Sequence, residues 1–158
     1  MSQTQTSFFL ADEHQATQLA QHLSPLLGVG DCLLLSGPVG AGKSHFARSI
    51  ILSKLTEPED VPSPTFTLVQ TYETSETEIW HCDLYRLSDA EDALELGLDD
   101  AFDTALCLIE WPDRLGKYAP ENALSLAFDH KPDGAGRTLI MSGATARWAH
   151  TLDQLNNE

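Results

Sequence analysis

Gly37-Pro38-Val39-Gly40-Ala41-Gly42-Lys43-Ser44 is the stretch whose reading decides the fold. It follows G-x-x-x-x-G-K-[ST], the pattern of a phosphate-binding loop. Glycines let the backbone wrap closely round a triphosphate and point its N–H groups inward. Lys43 supplies an ammonium for the β- and γ-phosphates, and Ser44 a hydroxyl for Mg2+. The helix expected to start here adds the positive end of its dipole.

The flanks agree with that reading. Upstream, Cys32-Leu33-Leu34-Leu35 is a short apolar run of the kind a buried parallel strand shows. Downstream, Phe46, Ala47, Ile50, Ile51 and Leu55 recur at helical spacing, and Pro58 closes the helical region. A strand, a glycine loop and a helix in this order are expected to hold a nucleoside triphosphate. The residues that would hold its phosphates are Gly37, Pro38, Val39, Gly40, Ala41, Gly42, Lys43 and Ser44.

A chain of 158 residues is expected to form one domain with a real core. The hydrophobic fraction of 42% and charged fraction of 21% are ordinary for a globular protein. No apolar run approaches the roughly 20 residues of a membrane span. The N-terminus lacks a basic region followed by an apolar core, so no secretory signal is expected and the expected location is cytoplasmic. The net charge of -15, from 9 Lys+Arg against 24 Asp+Glu, argues against broad contact with a nucleic-acid backbone. Solubility alone also accounts for such a charge. Cys32, Cys82 and Cys107 lie in apolar or strand-like runs without a CxxC partner, which points to buried core thiols rather than a zinc or redox motif.

The rest of the chain alternates between strand and helix signals. Ser7-Phe8-Phe9-Leu10 reads as a first strand. Asp12 is an N-cap for a helix running to about Leu27, with Ala16, Leu19, Ala20, Leu23, Leu26 and Leu27 as its apolar stripe. Pro58, Pro62 and Pro64 make a constrained loop. Thr65–Tyr72 and Glu78–Asp83, separated by a polar turn, read as an antiparallel hairpin, so the sheet is not expected to be purely parallel. Ser88 with Glu91 forms a capping box for a short helix through Leu96, which Gly97 ends. Ala105–Ile109 is a second wholly apolar strand. Leu124–Phe128 and Arg137–Met141 read as strands, and Ala144–Leu155 as a terminal helix.

Beside a phosphate loop, an acid at the end of an apolar strand is needed to hold Mg2+ and orient water. Glu110, which follows the more apolar strand, is favoured on pattern; the reading as a solvated strand-end carboxylate applies more to Asp83, which follows a more polar strand. Thr65 stands where a switch residue could sense a γ-phosphate, yet on the residues alone an ordinary strand-start threonine is preferred. Trp111 suits either a cover over the site or the core. His45, in the first helical turn, is a surface helix residue or a neighbour of the nucleotide. His81 could act as a base, although a histidine within a strand is more often structural. Arg86 and Arg137 could neutralise phosphate charge or form surface pairs.

Five stretches together resemble the TsaE family, older name YjeE: Gly40-Ala41-Gly42-Lys43-Ser44, Ser63-Pro64-Thr65-Phe66-Thr67-Leu68-Val69, His81-Cys82-Asp83-Leu84-Tyr85-Arg86-Leu87, Glu95-Leu96-Gly97-Leu98-Asp99 and Leu108-Ile109-Glu110-Trp111-Pro112. S-P-T-F followed by H-x-D-L-Y-R-L is the specific part; beyond Pro112 the match is weak. The resemblance implies an α/β, P-loop NTPase-like fold with a mixed, mostly parallel sheet flanked by helices, as a single ATPase domain over residues 1–158. It implies that Thr65 is a switch residue, Asp83 a Walker-B-type acid, and Glu110 a Mg2+ ligand together with Ser44. Trp111 becomes a functional aromatic, and Arg137 falls where relatives carry an arginine near the nucleotide. Two departures stand out. The loop reads G-P-V-G-A-G-K-S where relatives have G-D-L-G-A-G-K-T, so Pro38 replaces a carboxylate and removes a backbone donor. Asp99-Asp100 stands where a glutamate is common.

The activity implied is slow, Mg2+-dependent ATP hydrolysis that supports threonylcarbamoyladenosine formation on tRNA. The implied partners are TsaD, the transferase, and TsaB; the acidic charge leads to no expected direct nucleic-acid contact, and the absence of a long apolar run to no expected membrane contact. A small-molecule or nucleotide kinase, and a docking switch that binds ATP without hydrolysing it, are the alternatives. The kinase fits less well with five scattered arginines and no clear lid.

Overall fold

The computed structural model describes residues 3–38, 40–57, 59–62, 64, 68–131 and 134–157. The chain runs β1 (Thr4–Leu10), α1 (Glu13–Leu23), β2 (Cys32–Ser36), α2 (Lys43–Lys54), β3 (Val69–Glu73), β4 (Glu78–Asp83), α3 (Glu91–Glu95), α4 (Leu98–Thr104), β5 (Leu106–Glu110), β6 (Leu124–His130), β7 (Arg137–Gly143) and α5 (Ala146–Asn156). All strands belong to one sheet in the order β1-β7-β6-β2-β5-β4-β3. The central strands β6, β2, β5 and β4 are parallel, and antiparallel pairs close both edges. The expected mixed, mostly parallel sheet is therefore found, and the β3–β4 hairpin supplies one antiparallel edge.

Alternation along the central strands sorts their side chains onto two faces. Leu33 and Leu35 of β2, with Leu106 and Leu108 of β5, pack with Phe46, Ile50 and Ile51 of α2 and with Trp148 and Leu152 of α5. On the other face Cys32, Cys82, Cys107 and Ile109 pack with Leu98, Ala101 and Leu115. All three cysteines are free and buried, as their apolar surroundings suggested. Burial pushes the Cys107 thiol up to about 12.

Several boundaries differ from the sequence expectation for local reasons. Asp12 does cap α1, accepting from Gln15 N at 2.9 Å, but the α-helix stops at Leu23 rather than Leu27. Pro25 has no N–H to continue the ladder, so Ser24–Leu26 tightens into a 3-10 turn. The Ser88–Glu91 capping box does not form. The helix starts only at Glu91, whose N–H is taken by Asp89 Oδ1 at 3.1 Å. Gly97 ends α3 as expected, at φ 89, and at once opens α4, a second short helix that the pattern did not signal. The strand expected from Thr65 is found from Val69; Thr65, Phe66 and Thr67 lie outside the described residues. No helix among the described residues is long and apolar enough to cross a membrane.

The C-terminal helix is clamped by one ion pair. Arg147 Nε donates to Asp31 Oδ1 at 2.9 Å, and Nη2 donates to Asp31 Oδ2 and, at 2.8 Å, to Leu26 O. Asp31 in turn accepts from Gly28 N at 2.8 Å. Asp31 is nearly buried while Arg147 is about half exposed, so solvent screens only one side of the pair. Arg147→Ala is expected to cost about 1–3 kcal/mol by stranding the Asp31 carboxylate, measured as a lowered urea midpoint at unchanged m value.

The site takes its position from strand register. Leu35 of β2, Glu110 of β5 and Asp83 of β4 sit side by side at the carboxyl ends of three parallel strands. That end of an open α/β sheet is where ligands bind.

Candidate functional site

The loop from β2 to α2 bends as the glycine pattern requires. Gly37 has φ 133, and a Cβ there would lie 2.3 Å from Phe128 O, so no larger residue fits. Gly42, at φ 105, occupies the left-handed position immediately before α2. Pro38 lacks a donor but keeps its carbonyl in use, accepting from Ala41 N at 3.2 Å. Val39 lies outside the described residues.

Lys43 opens α2 and is buried against the loop that precedes it. Its Nζ donates to Gly37 O at 2.5 Å and to Pro38 O at 3.1 Å. It also stands 4.3 Å from the centroid of the Trp111 ring. Desolvation lowers the Lys43 pKa, while the nearby Glu110 and Asp83 pull it back up. Trp111 reaches the lysine because its backbone turns sharply at the end of β5. At φ 59 it adopts the left-handed conformation, and its N–H is fixed on Leu35 O at 3.3 Å. Tyr85 packs beside it, ring centroids 5.0 Å apart.

The two acids face the first turn of α2 from neighbouring strands. Ser44 Oγ donates to the Glu110 carboxylate, 2.8 Å from Oε1 and 2.9 Å from Oε2. Glu110 is 3% exposed and also meets His81 Nε2 at 2.7 Å. Asp83 Oδ1 accepts from Tyr85 N at 3.0 Å, and the Asp83 N–H donates to Leu68 O at 2.9 Å. Leu68 is the other non-glycine residue with positive φ among those described, at 67°. The end of the segment carrying Thr65 is thus pinned to the backbone of Asp83. Thr65 itself is outside the described residues.

These groups line one cleft of about 510 Å³. Lys43, Ser44, Asp83, Glu110, Trp111 and Arg137 are among its lining residues, together with the apolar Leu10, Ala16 and Phe128. Arg137, on β7, donates from Nη2 to Gly40 O at 3.0 Å, while its buried Nε has no partner among the described residues. His45 also borders the cleft, with Nε2 2.9 Å from Thr17 Oγ1. Arg86 is exposed and does not line the cleft. Sequence reasoning missed Leu10, Glu13, Ala16 and Phe128, brought to the cleft by β1, α1 and β6, and Arg48 of α2 and Tyr85 after β4. Only Tyr85 had a sequence signal, in its nearness to Asp83.

The donor set suits a small hard cation. Among the described residues no cluster of three or more His, Cys, Asp or Glu could close a metal site by itself. One carboxylate and one hydroxyl at a phosphate loop match the way Mg2+ is held, with few protein oxygens and the rest from water and phosphate. The cleft volume and its mixed polarity are those of a small-molecule site.

A central parallel strand that feeds a glycine loop into a helix, with acids at the ends of the adjacent strands, defines an α/β protein of the P-loop class. The family model described as "Threonylcarbamoyl adenosine biosynthesis protein TsaE" matches residues 10–147, and the chain belongs to the TsaE family. A Rickettsia bellii protein named tRNA threonylcarbamoyladenosine biosynthesis protein TsaE is 38% identical over 120 residues, covering 76% of this chain and 83% of that protein. A Nostoc protein of the same name is 31% identical over 141 residues, with 85% of each covered. A Rickettsia felis protein, again so named, is 44% identical over 104 residues, 66% of this chain, and the matched stretch spans 61% of its length. The crystal structure of Bacillus subtilis YdiB shares the fold, with a TM-score of 0.83, 23% identity, and 99% and 97% of the two chains covered.

Proposed function

We propose that this chain is a Mg2+-dependent ATPase that serves threonylcarbamoyladenosine modification of tRNA in the cytoplasm, working on a TsaB–TsaD complex as a single domain over residues 1–158. The observation that carries the reading is the contact between Ser44 Oγ and the Glu110 carboxylate, next to Lys43 at the start of α2. A lysine and a hydroxyl from the first turn of α2 and a carboxylate from the end of β5 converge there.

The residues divide the work by charge. The loop from Gly37 to Gly42 cradles the phosphates with its N–H groups, and Lys43 neutralises them. Ser44 and Glu110 are the residues that would hold Mg2+, with Asp83 beside them. The cation, when bound, offsets negative charge on the transferring phosphoryl group. Asp83 accepts a hydrogen bond from the attacking water, and Thr65 senses the γ-phosphate. Water adds to the γ-phosphorus as the bond to ADP breaks, so positioning and charge stabilisation supply the catalysis. Trp111 covers the lysine, Arg137 braces the loop through Gly40, and His45 borders the cleft that would take the nucleotide. The net charge of -15 favours docking on a protein partner over direct contact with tRNA.

The test is phosphate release from ATP with and without purified TsaB–TsaD. Slow release by the chain alone and faster release with the complex is the expected result. No release in either case overturns the ATPase reading, and phosphorylation of an added nucleoside in place of free phosphate would identify a kinase.

A further inference from the structure

Glu110 is framed more closely than a strand-end carboxylate requires. One of its oxygens meets a histidine from the middle of the neighbouring strand, His81, at 2.7 Å. His81 is 1% exposed and lies two residues before Asp83, opposite Leu108 in the β4–β5 register. On the same face of these two strands Ile79, Leu106 and Leu108 are fully buried. An apolar side chain would fill the His81 position and continue that row. The imidazole instead leaves Nδ1 buried with no partner among the described residues. A buried polar atom without a partner carries a desolvation cost, so the position gains something in return.

The gain is at Nε2. An ionised carboxylate only accepts hydrogen bonds, so Nε2 carries the hydrogen and donates it to Glu110 Oε2. Ser44 bonds both oxygens of the same carboxylate, so its hydroxyl alone does not fix which oxygen faces the start of α2. His81 makes the two oxygens inequivalent. We propose that His81 is a positioning residue that locks the Glu110 carboxylate through Oε2 and leaves Oε1, with Ser44, for the cation. This rests on the reading of the cleft as a Mg2+–nucleotide site. Hydrogen bonding behind a ligating carboxylate is a general way of tuning metal affinity, and its loss typically costs 10–100-fold.

The test uses two amides that differ in reach. The side-chain amide of glutamine superposes on imidazole Nε2, and that of asparagine on Nδ1. Binding of the fluorescent nucleotide mant-ADP is titrated with Mg2+ for the wild type, His81→Gln and His81→Asn. His81→Asn is expected to raise the half-saturating Mg2+ concentration about tenfold or more. His81→Gln is expected to stay within about twofold of the wild type, and mant-ADP affinity in EDTA to be the same for all three. Equal Mg2+ dependence in wild type and His81→Asn overturns the proposal. So does a His81→Gln shift as large as that of His81→Asn, because a role confined to packing would not distinguish the two amides. A second measurement needs no variant. Long-range proton–nitrogen correlation on the wild type should show the hydrogen of His81 on Nε2, and finding it on Nδ1 overturns the proposal. A wild type whose mant-ADP affinity ignores Mg2+ would instead sink the Mg2+–nucleotide reading itself.

Discussion

Lys43→Ala is expected to weaken ATP binding roughly 100-fold, equivalent to about 3 kcal/mol for lost charge-assisted hydrogen bonds. The ammonium is buried before any ligand arrives, held by Gly37 O and Pro38 O and covered by Trp111. Its desolvation has thus already been met within the fold, which leaves its attraction for phosphate little opposed. The same geometry predicts little change in thermal stability, because alanine gives up two hydrogen bonds and also relieves a buried charge. Calorimetric titration with ATP, alongside a melting curve, checks both parts. Unchanged ATP affinity would remove the loop from its assigned role, and a collapse of the melting temperature would show that Lys43 serves the fold first.

The second large effect is expected at Glu110. Glu110→Gln keeps size and one accepting oxygen and removes the charge, so it should leave the chain folded. ATP hydrolysis should fall on the order of 100- to 1,000-fold, the range seen when one electrostatic contact to a reacting group is removed. Mg2+ stimulation of nucleotide binding should disappear while binding in EDTA persists. Glu110→Ala should add a stability cost of about 1–3 kcal/mol, because Ser44 and His81 lose their acceptor in a buried site. Single-turnover hydrolysis and urea denaturation of the two variants separate the roles. The docking-switch alternative predicts that neither variant affects tRNA modification. Loss of modification with ATP binding and complex assembly intact would exclude it.

How much of this site is legible in the sequence depends on how local each group is. The loop, Lys43 and Ser44 are contiguous, and their spacing carries their chemistry. Glu110 and Asp83 are legible as acids that end strands, and pattern favours Glu110. The register then sets both at the same height beside β2 and gives Glu110 the contact with Ser44. His81 is readable as a base or, more often, as a structural strand histidine, but not as a partner of Glu110, which lies in a neighbouring strand 29 positions along the chain. Arg137 is 97 positions from Gly40, and no periodicity connects them. The helices α3 and α4 fall short of the length at which helical periodicity shows, so one capping box was expected where two short helices meet at Gly97.

The sequence by itself determined the phosphate loop, the parallel strands that are wholly apolar, the hairpin edge and the burial of the thiols. Each of these follows from residue type and spacing within contiguous stretches of the chain. Only the tertiary structure decided which acid meets Ser44, which aromatic covers Lys43 and which apolar residues floor the cleft. The reason is that a parallel sheet brings together strand ends that are far apart in the chain, and register is set by the whole core. The loop is legible from its residues; the sheet places Glu110 and Trp111 beside it and His81 behind Glu110.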